Sequence, residues 1–162
     1  MARRTRTYSW EAPGDVLARV SGMSGLEALQ SIAAGELPPP PIAETLGFGP
    51  IEVEAGRATF TIEPAEFHYN PIGVVHGGLA LALLDSAMGC AVHSTLPAGV
   101  AYTTLEVKAN FVRPLTSSTG PIRCTGTVVH AGRTVATAEG RIVDGDGKLY
   151  AHGTSTLLVI AG

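Results

Sequence analysis

Residues 70–89 read NPIGVVHGGLALALLDSAMG, and beyond His76 this segment has no polar side chain except Asp85 and Ser86. From His76 to about Thr95 the chain is mostly Leu, Ala, Val, Met and Gly, without proline. The run is long enough for about five helical turns. Because it is apolar on nearly every side, it predicts a helix buried inside the protein rather than one on its surface.

The sequence after this helix is typical of β-strands. Every second residue is apolar from about Ala101 until Pro114 ends the pattern, which predicts one strand. Further strands are predicted at residues 121–130, 133–143 and 148–160, and the short turns between strands favour an antiparallel meander. The alternation places Leu105, Val107, Ala109 and Phe111 on one face, and Thr104, Glu106, Lys108 and Asn110 on the other.

Glycine and proline divide the chain before the helix into short segments. Residues 1–23 are predicted to be a loose arm, and residues 24–35 a helix with Ser24 as its cap. The prolines of residues 38–41 form a stiff spacer that cannot be a central strand. Residues 1–41 are therefore expected to be an arm with one short helix and a proline-rich spacer.

Two strands precede the long helix in the remaining domain, residues 42–162. Residues 43–54 are rich in apolar side chains, residues 57–62 alternate, and Ala55-Gly56 suits the turn between them. A fully apolar helix must be covered, and a strongly curved antiparallel sheet wrapped around it satisfies both the helix and one sheet face. The sequence therefore predicts an α+β fold with an N-terminal helical extension.

The composition of the chain argues against several classes of protein. Only 15% of its residues are charged, against about 25% in an average soluble domain, so a subunit interface is expected to cover part of the surface. A net charge of −3 without a long basic run argues against nucleic acid as the main partner. The apolar run of residues 79–92 is too short to span a membrane. No apolar run follows the basic first seven residues, which argues against a secretory signal. Cys90 and Cys124 have no metal-type spacing and suit core positions, which favours a reducing cytoplasm.

The start of the long helix has the features of an oxyanion site. The backbone N–H groups of Gly77 and Gly78 have no partner within the helix, and they lie at the positive end of its dipole. Glycine lets a ligand approach this backbone closely. The pair is therefore a candidate site for a carbonyl group that acquires negative charge.

Asp85 is the second candidate, because a carboxylate in an apolar helix is costly unless it is paired. It is either a hydrogen-bonded structural residue or a general base or nucleophile. Gly77 and Asp85 are separated by about 12 Å along a helix axis, too far to act on one reacting group. If both are catalytic, they come from different subunits, and the sequence then predicts a symmetric dimer with two shared sites. The small residues Gly78, Ala82 and Gly89 near the same helix face favour a close partner.

The string HYNPIGVVHGGLALALLDSAMG resembles the signature of the PaaI-like (phenylacetic acid degradation) branch of hotdog-fold acyl-CoA thioesterases. That pattern is Asn-x-x-Gly-x-x-His-Gly-Gly, with an aspartate nine residues after the histidine. TTLEVKANFVRPL resembles the family's Thr-Leu-x-Val-x-x-x-Phe-x-Arg-Pro strand, and GELPPPPIAETLGF its N-terminal region. The likeness spans roughly residues 24–160 and implies a hotdog fold, a curved sheet wrapped around one helix.

The resemblance implies a role for each matching residue. Asn70 and the Gly77 amide would polarise the thioester carbonyl. Asp85 of the other subunit would activate water or attack the carbonyl itself, and Thr104 of that subunit would position the water. The resemblance also implies homodimers that pair into homotetramers, with no metal and no cofactor other than the coenzyme A of the acyl-CoA substrate.

Other residues have two open interpretations. His76 either hydrogen-bonds local backbone to shape the oxyanion loop or contacts the substrate, and Asn70 before Pro71 is either a turn residue or a catalytic one. Arg113 is either a cation for the phosphates of coenzyme A or a solvated strand end. Phe67, Tyr69 and Met88 either line a pocket or belong to the core. Five scattered histidines without ligand spacing predict no metal site.

Two other functions compete with thioester hydrolysis. A hotdog dehydratase or hydratase acts beside the thioester with a histidine and an acidic residue, and a binding module senses acyl-CoA without chemistry. The position of Asp85 nine residues after His76 fits the thioesterase pattern better. The acyl group is left open between aryl and medium-chain fatty acyl, because the fold does not determine pocket depth.

Overall fold

The long apolar segment forms the central helix of a computed structural model that describes residues 3–161. Three short helices and two strands precede this helix, and four strands follow it, as predicted for the second half of the chain. The elements are α1 (Pro13–Val20), α2 (Gly25–Ala33), α3 (Pro41–Leu46), β1 (Ile51–Glu54), β2 (Arg57–Ile62), α4 (Gly77–His93), β3 (Ala101–Phe111), β4 (Ile122–Ala131), β5 (Val135–Asp144) and β6 (Leu149–Ile160).

Helix α4 is buried, as its composition predicts. Leu83, Leu84, Ala87 and Met88 are completely inaccessible to solvent. Five of the six strands pack against the helix, so one antiparallel sheet surrounds it. The α+β class, with one sheet wrapped around one long helix and a helical N-terminal extension, is confirmed.

The six strands are arranged in the order β1-β2-β4-β5-β6-β3, and every pair is antiparallel. Strands β4, β5 and β6 form the predicted meander, but β3 is not paired with β4 in the sheet. Residues 112–121 connect β3 to β4 as a long loop rather than a tight turn. This loop lets β3 pair with β6 instead, which leaves β3 at an edge of the sheet.

A row of three glycines lies under α4 in the middle of the sheet. Gly126 pairs with Gly140, and Gly140 pairs with Gly153. A Cβ atom at Gly126 would collide with the backbone carbonyl of Ala87, and one at Gly140 would lie 2.9 Å from Leu84 Cδ2. The missing side chains let the helix rest directly on the strands.

Of the three helices in the N-terminal region, the sequence predicts α2 but not α1 or α3. Helix α2 begins with a capping box in which Ser24 Oγ accepts the N–H of Glu27, and the Glu27 carboxylate accepts the N–H of Ser24. The predicted loose arm contains α1, which has a proline at its start and no buried residue.

The predicted strand of residues 43–54 is wrong in its first half, which forms α3. Pro41 begins this helix, and Gly47 ends it in the left-handed conformation at φ 73°. Only Ile51–Glu54 remain as strand β1, and Ala55-Gly56 make the predicted turn to β2. The proposed domain boundary between residues 41 and 42 stays a prediction. No helix within residues 3–161 has the length and apolar character that a membrane crossing requires.

Candidate active site

The loop of residues 69–76, here called the lead-in loop, holds the N-terminus of α4 in place. Its ends are joined by a β-bridge between Tyr69 and Val75. The side-chain oxygen of Asn70 accepts the N–H groups of Ile72 at 3.0 Å and Val74 at 3.3 Å. Asn70 is therefore a turn residue through its oxygen, while its side-chain NH2 has no acceptor within the described chain and is free to donate to a ligand.

His76 is the N-cap of α4, and this separates the two glycines that follow it. Its Nδ1 accepts the N–H of Gly78 at 2.8 Å, which leaves the Nε2 side of the ring to donate. The expectation that both glycine amides are available is therefore wrong for Gly78. The N–H of Gly77 makes no hydrogen bond within residues 3–161 and is the one left for an oxyanion.

A cavity of about 350 Å³ lies beside Gly77. Its lining includes His76, Phe111, Arg113 and Tyr150. The Phe111 ring lies 3.5 Å from the position that a Cβ atom on Gly77 would occupy. The structure therefore brings the predicted residues His76, Gly77 and Arg113 to one cavity, which is largely apolar with a cation at its edge.

Arg113 is exposed, and its guanidinium donates to the carbonyl oxygen of Leu149 at 2.5 Å. It is a solvated residue after the end of β3, and the same position places a cation at the cavity. Both interpretations of Arg113 therefore remain open.

Tyr150 and Phe111 line this cavity without having been predicted. The Tyr150 hydroxyl donates to Asp144 Oδ2 at 3.1 Å, and burial, followed by this carboxylate, raises the pKa of the tyrosine. The β3–β6 pairing brings Tyr150 opposite the end of β3. The sequence gives no signal of this pairing, because the two strands are far apart in the chain. Phe111 lies two residues before Arg113 in the family-like strand, and that spacing could have indicated it.

Asp85 lies on α4, half-buried, and is paired with Thr104. Its Oδ1 accepts the Thr104 hydroxyl at 2.9 Å, while Oδ2 makes no hydrogen bond within the described residues. The strand register shifts between Thr104 and Glu106, so a bulge at Leu105 resets the alternation. Thr104 therefore faces α4 instead of sharing the outer face of Glu106.

Burial and the charge of Asp85 also affect two neighbouring side chains. Burial, with a smaller effect of Asp85, raises the pKa of the Cys90 thiol to about 12. The pKa of Tyr102 is raised by burial first, then by Cys90 and Asp85. Both groups therefore stay protonated and uncharged at neutral pH.

The two groups of predicted residues are separate within one chain. Gly77 and Asp85 are about 12 Å apart along the helix axis, and the cavity beside Gly77 does not include Asp85. Gly78 and Leu81 are exposed on α4, and Ala82 is half-buried there. Gly89 is not part of this open face, because the Tyr102 ring covers it. Each chain thus carries two separate groups of candidate residues.

No cluster of three or more His, Cys, Asp or Glu side chains in residues 3–161 is arranged to hold a metal ion. The absence of a metal and of a cofactor stays a prediction.

Residues 72–151 match the sequence profile of the family described as Thioesterase superfamily. A solved structure from Ralstonia eutropha JMP134, described as a "putative thioesterase, phenylacetic acid degradation-related protein", is 32% identical with a TM-score of 0.71. The similarity covers 80% of this chain and 98% of that one.

The descriptions of two other similar proteins name a thioester of coenzyme A. The 1,4-dihydroxy-2-naphthoyl-CoA hydrolase of Listeria monocytogenes is 26% identical, over 73% of this chain and 94% of that protein. The protein smu.793 of Streptococcus mutans, solved with acetyl CoA bound, is 26% identical with a TM-score of 0.64. That similarity covers 70% of this chain and 89% of the other.

Proposed function

The chain belongs to the thioesterase superfamily and has its hotdog fold, and from this membership we propose that it hydrolyses acyl-CoA thioesters. The likeness to the PaaI-like branch is confirmed by the similar phenylacetic acid degradation-related protein. The observation that carries the proposal is the free N–H of Gly77, at the N-terminus of a buried helix and beside a cavity. Such a donor stabilises the oxyanion of an acyl-transfer intermediate.

The thioester carbonyl is proposed to bind between the Gly77 N–H and the side-chain NH2 of Asn70. Both donors lack an acceptor in the described chain, and the lead-in loop fixes both of them before substrate binds. The His76 Nε2–H is a third donor, and His76 lines the cavity together with Gly77, whereas Asn70 lies in the lead-in loop outside the cavity lining. These groups would polarise the carbonyl and hold its oxygen as charge develops.

Asp85 is proposed to activate the water. Its Oδ1 is held by Thr104, so its free Oδ2 accepts a proton from water as the oxygen attacks the carbonyl carbon. The tetrahedral intermediate then collapses, the C–S bond breaks, and the proton returns from Asp85 to the departing thiolate. Direct attack by Asp85, with later hydrolysis of the anhydride, uses the same geometry and remains the alternative.

The proposed site needs two chains, because Gly77 and Asp85 of one chain are too far apart. A homodimer would place Asp85 and Thr104 of one subunit near Gly77 of the other. Strand β3 supports such a pairing: it lies at the sheet edge, and Leu105 and Phe111 on it are 58% and 55% exposed. An open edge strand with apolar side chains is a surface that another strand covers. Pairing of dimers into a tetramer and a cytoplasmic location stay predictions.

The acyl group is proposed to be aryl or medium-chain. The aromatic rings of Phe111 and Tyr150 line the cavity beside Gly77, which favours an aryl group. The similar naphthoyl-CoA hydrolase acts on an aryl thioester, which points the same way. Arg113 at the edge of this cavity would meet a phosphate of coenzyme A.

The test is thiol release by the purified protein from a panel of aryl-CoA and fatty acyl-CoA substrates, with Asp85→Asn alongside. Loss of the base is expected to lower kcat by about 10²–10⁴-fold. Asparagine still accepts the Thr104 hydrogen bond, so the fold is retained. Asp146→Asn, in the exposed β5–β6 turn, is the matched control and should keep full activity. Wild-type rates in Asp85→Asn, or no thiol release from any substrate, would contradict the proposal.

A further inference from the structure

We propose that His68 is a positioning residue that fixes the lead-in loop, and with it the N–H of Gly77, by tying the loop to the end of α3. His68 does not line the cavity beside Gly77 and would not touch the substrate. The inference rests on the proposed function, because it assigns His68 a part in the same site.

Both ring nitrogens of His68 are engaged, although the side chain is buried at 7% exposure. Nδ1 accepts the N–H of Ala65 at 2.9 Å, so the proton lies on Nε2. Nε2 therefore donates to the carbonyl oxygen of Leu46, the last residue of α3, at 2.7 Å. The ring is a buried bridge between two segments that are 22 residues apart in the chain.

The backbone of His68 connects this bridge to the catalytic end of α4. Its carbonyl oxygen accepts the N–H of His76 at 2.8 Å, and the His76 ring accepts the N–H of Gly78. Hydrogen bonds on both sides of Gly77 thus lead back to His68. A shift of His68 would change the direction of the Gly77 N–H without removing any group from the site.

The first residues of the chain hold the other side of the bridge. The Arg6 guanidinium donates to the carbonyl oxygens of Glu44 and Thr45 on α3, and it lies 4.2 Å from the centre of the Phe67 ring. Arg6 therefore contacts both α3 and the residue next to His68. Burial first, and then the Arg6 cation, lower the pKa of His68, which keeps its ring neutral.

Two substitutions at His68 separate positioning from simple packing. The amide of Gln reaches the place of Nε2 and can donate to Leu46, whereas the shorter Asn can accept only from Ala65. We expect His68→Asn to lower kcat by about 10–100-fold with KM unchanged, because the oxyanion donor is misplaced. His68→Gln should stay near the wild-type kcat.

Two further measurements complete the design. Hydrogen exchange of peptides spanning residues 69–79 should be faster in His68→Asn than in His68→Gln. Arg6→Ala should lower kcat in the same direction and add little to His68→Asn, since both act through one contact. Arg4→Ala, which breaks only an exposed ion pair with Glu66, should leave kcat unchanged.

The outcomes distinguish this proposal from the function on which it rests. An active wild type with equal kcat in both His68 variants would overturn the positioning role. Equal losses in Asn and Gln, with a parallel fall in melting temperature, would show that His68 only packs and would also overturn it. If the wild type releases no thiol, the proposed function fails. The exchange of residues 69–79 in the two variants then still supports or overturns the structural link.

Discussion

At the residue scale, one histidine ring decides which backbone group can act at the N-terminus of α4. Because His76 takes the N–H of Gly78, only the N–H of Gly77 is left for a carbonyl oxygen. The side-chain NH2 of Asn70 is the second proposed donor, since its oxygen is used inside the lead-in loop. These donors are held in place by the hydrogen bonds that the His76 ring and the Asn70 oxygen make with nearby backbone N–H groups.

Gly77→Pro should remove the oxyanion donor with little change to the helix. Proline is tolerated at the first helical position, where its missing N–H breaks no helical bond. His76 has φ −64° and ψ 134°, a conformation that suits the residue before a proline. We expect kcat to fall by about 10²–10³-fold in an assay of thiol release.

Gly77→Ala is the matched control for this change, because it keeps the N–H. Its Cβ atom would lie 3.5 Å from the Phe111 ring, an ordinary contact. Similar kcat values for the alanine and proline variants would rule out the Gly77 N–H as the oxyanion donor.

Sequence patterns located most of the candidate residues but not their orientation. The HGG motif could be found because glycine at a helix start leaves backbone N–H groups accessible to a ligand. Asp85 could be found because a carboxylate in an apolar run is costly unless it is paired. Thr104 was assigned by alternation to the face of Glu106, since no sequence signal marks the bulge at Leu105. The sequence gives no sign of the part played by His68, because its partner Leu46 can be identified only from the fold.

At the element scale, helix α4 crosses the sheet over a row of three glycines, and the core side chains of the strands pack around this row. Gly126, Gly140 and Gly153 are register partners across three strands, so the gap they leave runs across the sheet. Leu84 and Met88 fill this gap above Gly140. The closeness of helix and sheet is therefore set by the backbone at Gly126 and by two large side chains at Gly140.

Gly126→Ala should lower the free energy of unfolding by a large amount, although alanine adds only one carbon atom. The new Cβ atom would meet the backbone of Ala87 and Met88, which cannot rotate away as a side chain would. Overpacking of this kind costs about 1–3 kcal/mol, and urea unfolding followed by circular dichroism would measure it. The matched control is Gly145→Ala, in the β5–β6 turn with no atom within 4 Å of the new Cβ, expected within about 0.5 kcal/mol of wild type. Equal stability of the two variants would contradict the close contact.

The helices and strands with strong periodicity were predicted correctly, and the errors lie where local signals compete. Helix α3 has an apolar sequence that also suits a strand, and only its flanking Pro41 and Gly47 distinguish the two. Helix α1 has only eight residues, none of them buried, so its apolar positions Val16, Leu17 and Val20 make too short a pattern to stand out. The position of β3 beside β6 depends on the long loop that follows it, and single-strand patterns carry no information on partners.

At the scale of the whole molecule, each chain carries two separate groups of candidate residues, which the proposal treats as half-sites. One has the Gly77 amide and its cavity, and the other has Asp85 with Thr104. The distance between them follows from the length of one straight helix, which no movement of a loop can shorten. The proposed dimer joins half-sites of different kinds.

Mixing two inactive variants should restore activity if the sites are shared. In a heterodimer of Gly77→Pro and Asp85→Asn subunits, one site combines the intact Gly77 with the intact Asp85, and the other site carries both changes. When the two variants are unfolded together at equal concentrations and refolded, random pairing of subunits makes about half of the dimers heterodimers. We expect thiol release well above that of either variant alone, approaching a quarter of the wild-type value.

Two controls make the mixing experiment decisive. Each variant refolded alone should stay inactive, and the wild type carried through the same treatment sets the recovery. If the mixture is no more active than its components while the wild type recovers, the two groups do not act across subunits, and the shared site would be wrong.

The glycine row also bears on how this fold can change over evolutionary time. The close approach at Gly126 is made by backbone atoms, so it is kept in every descendant that keeps this glycine. The side chains at the rim of the sheet carry no such restriction and are free to change. New specificities would then arise by exchange of rim side chains such as Phe111 and Tyr150, around a helix whose position is inherited unchanged.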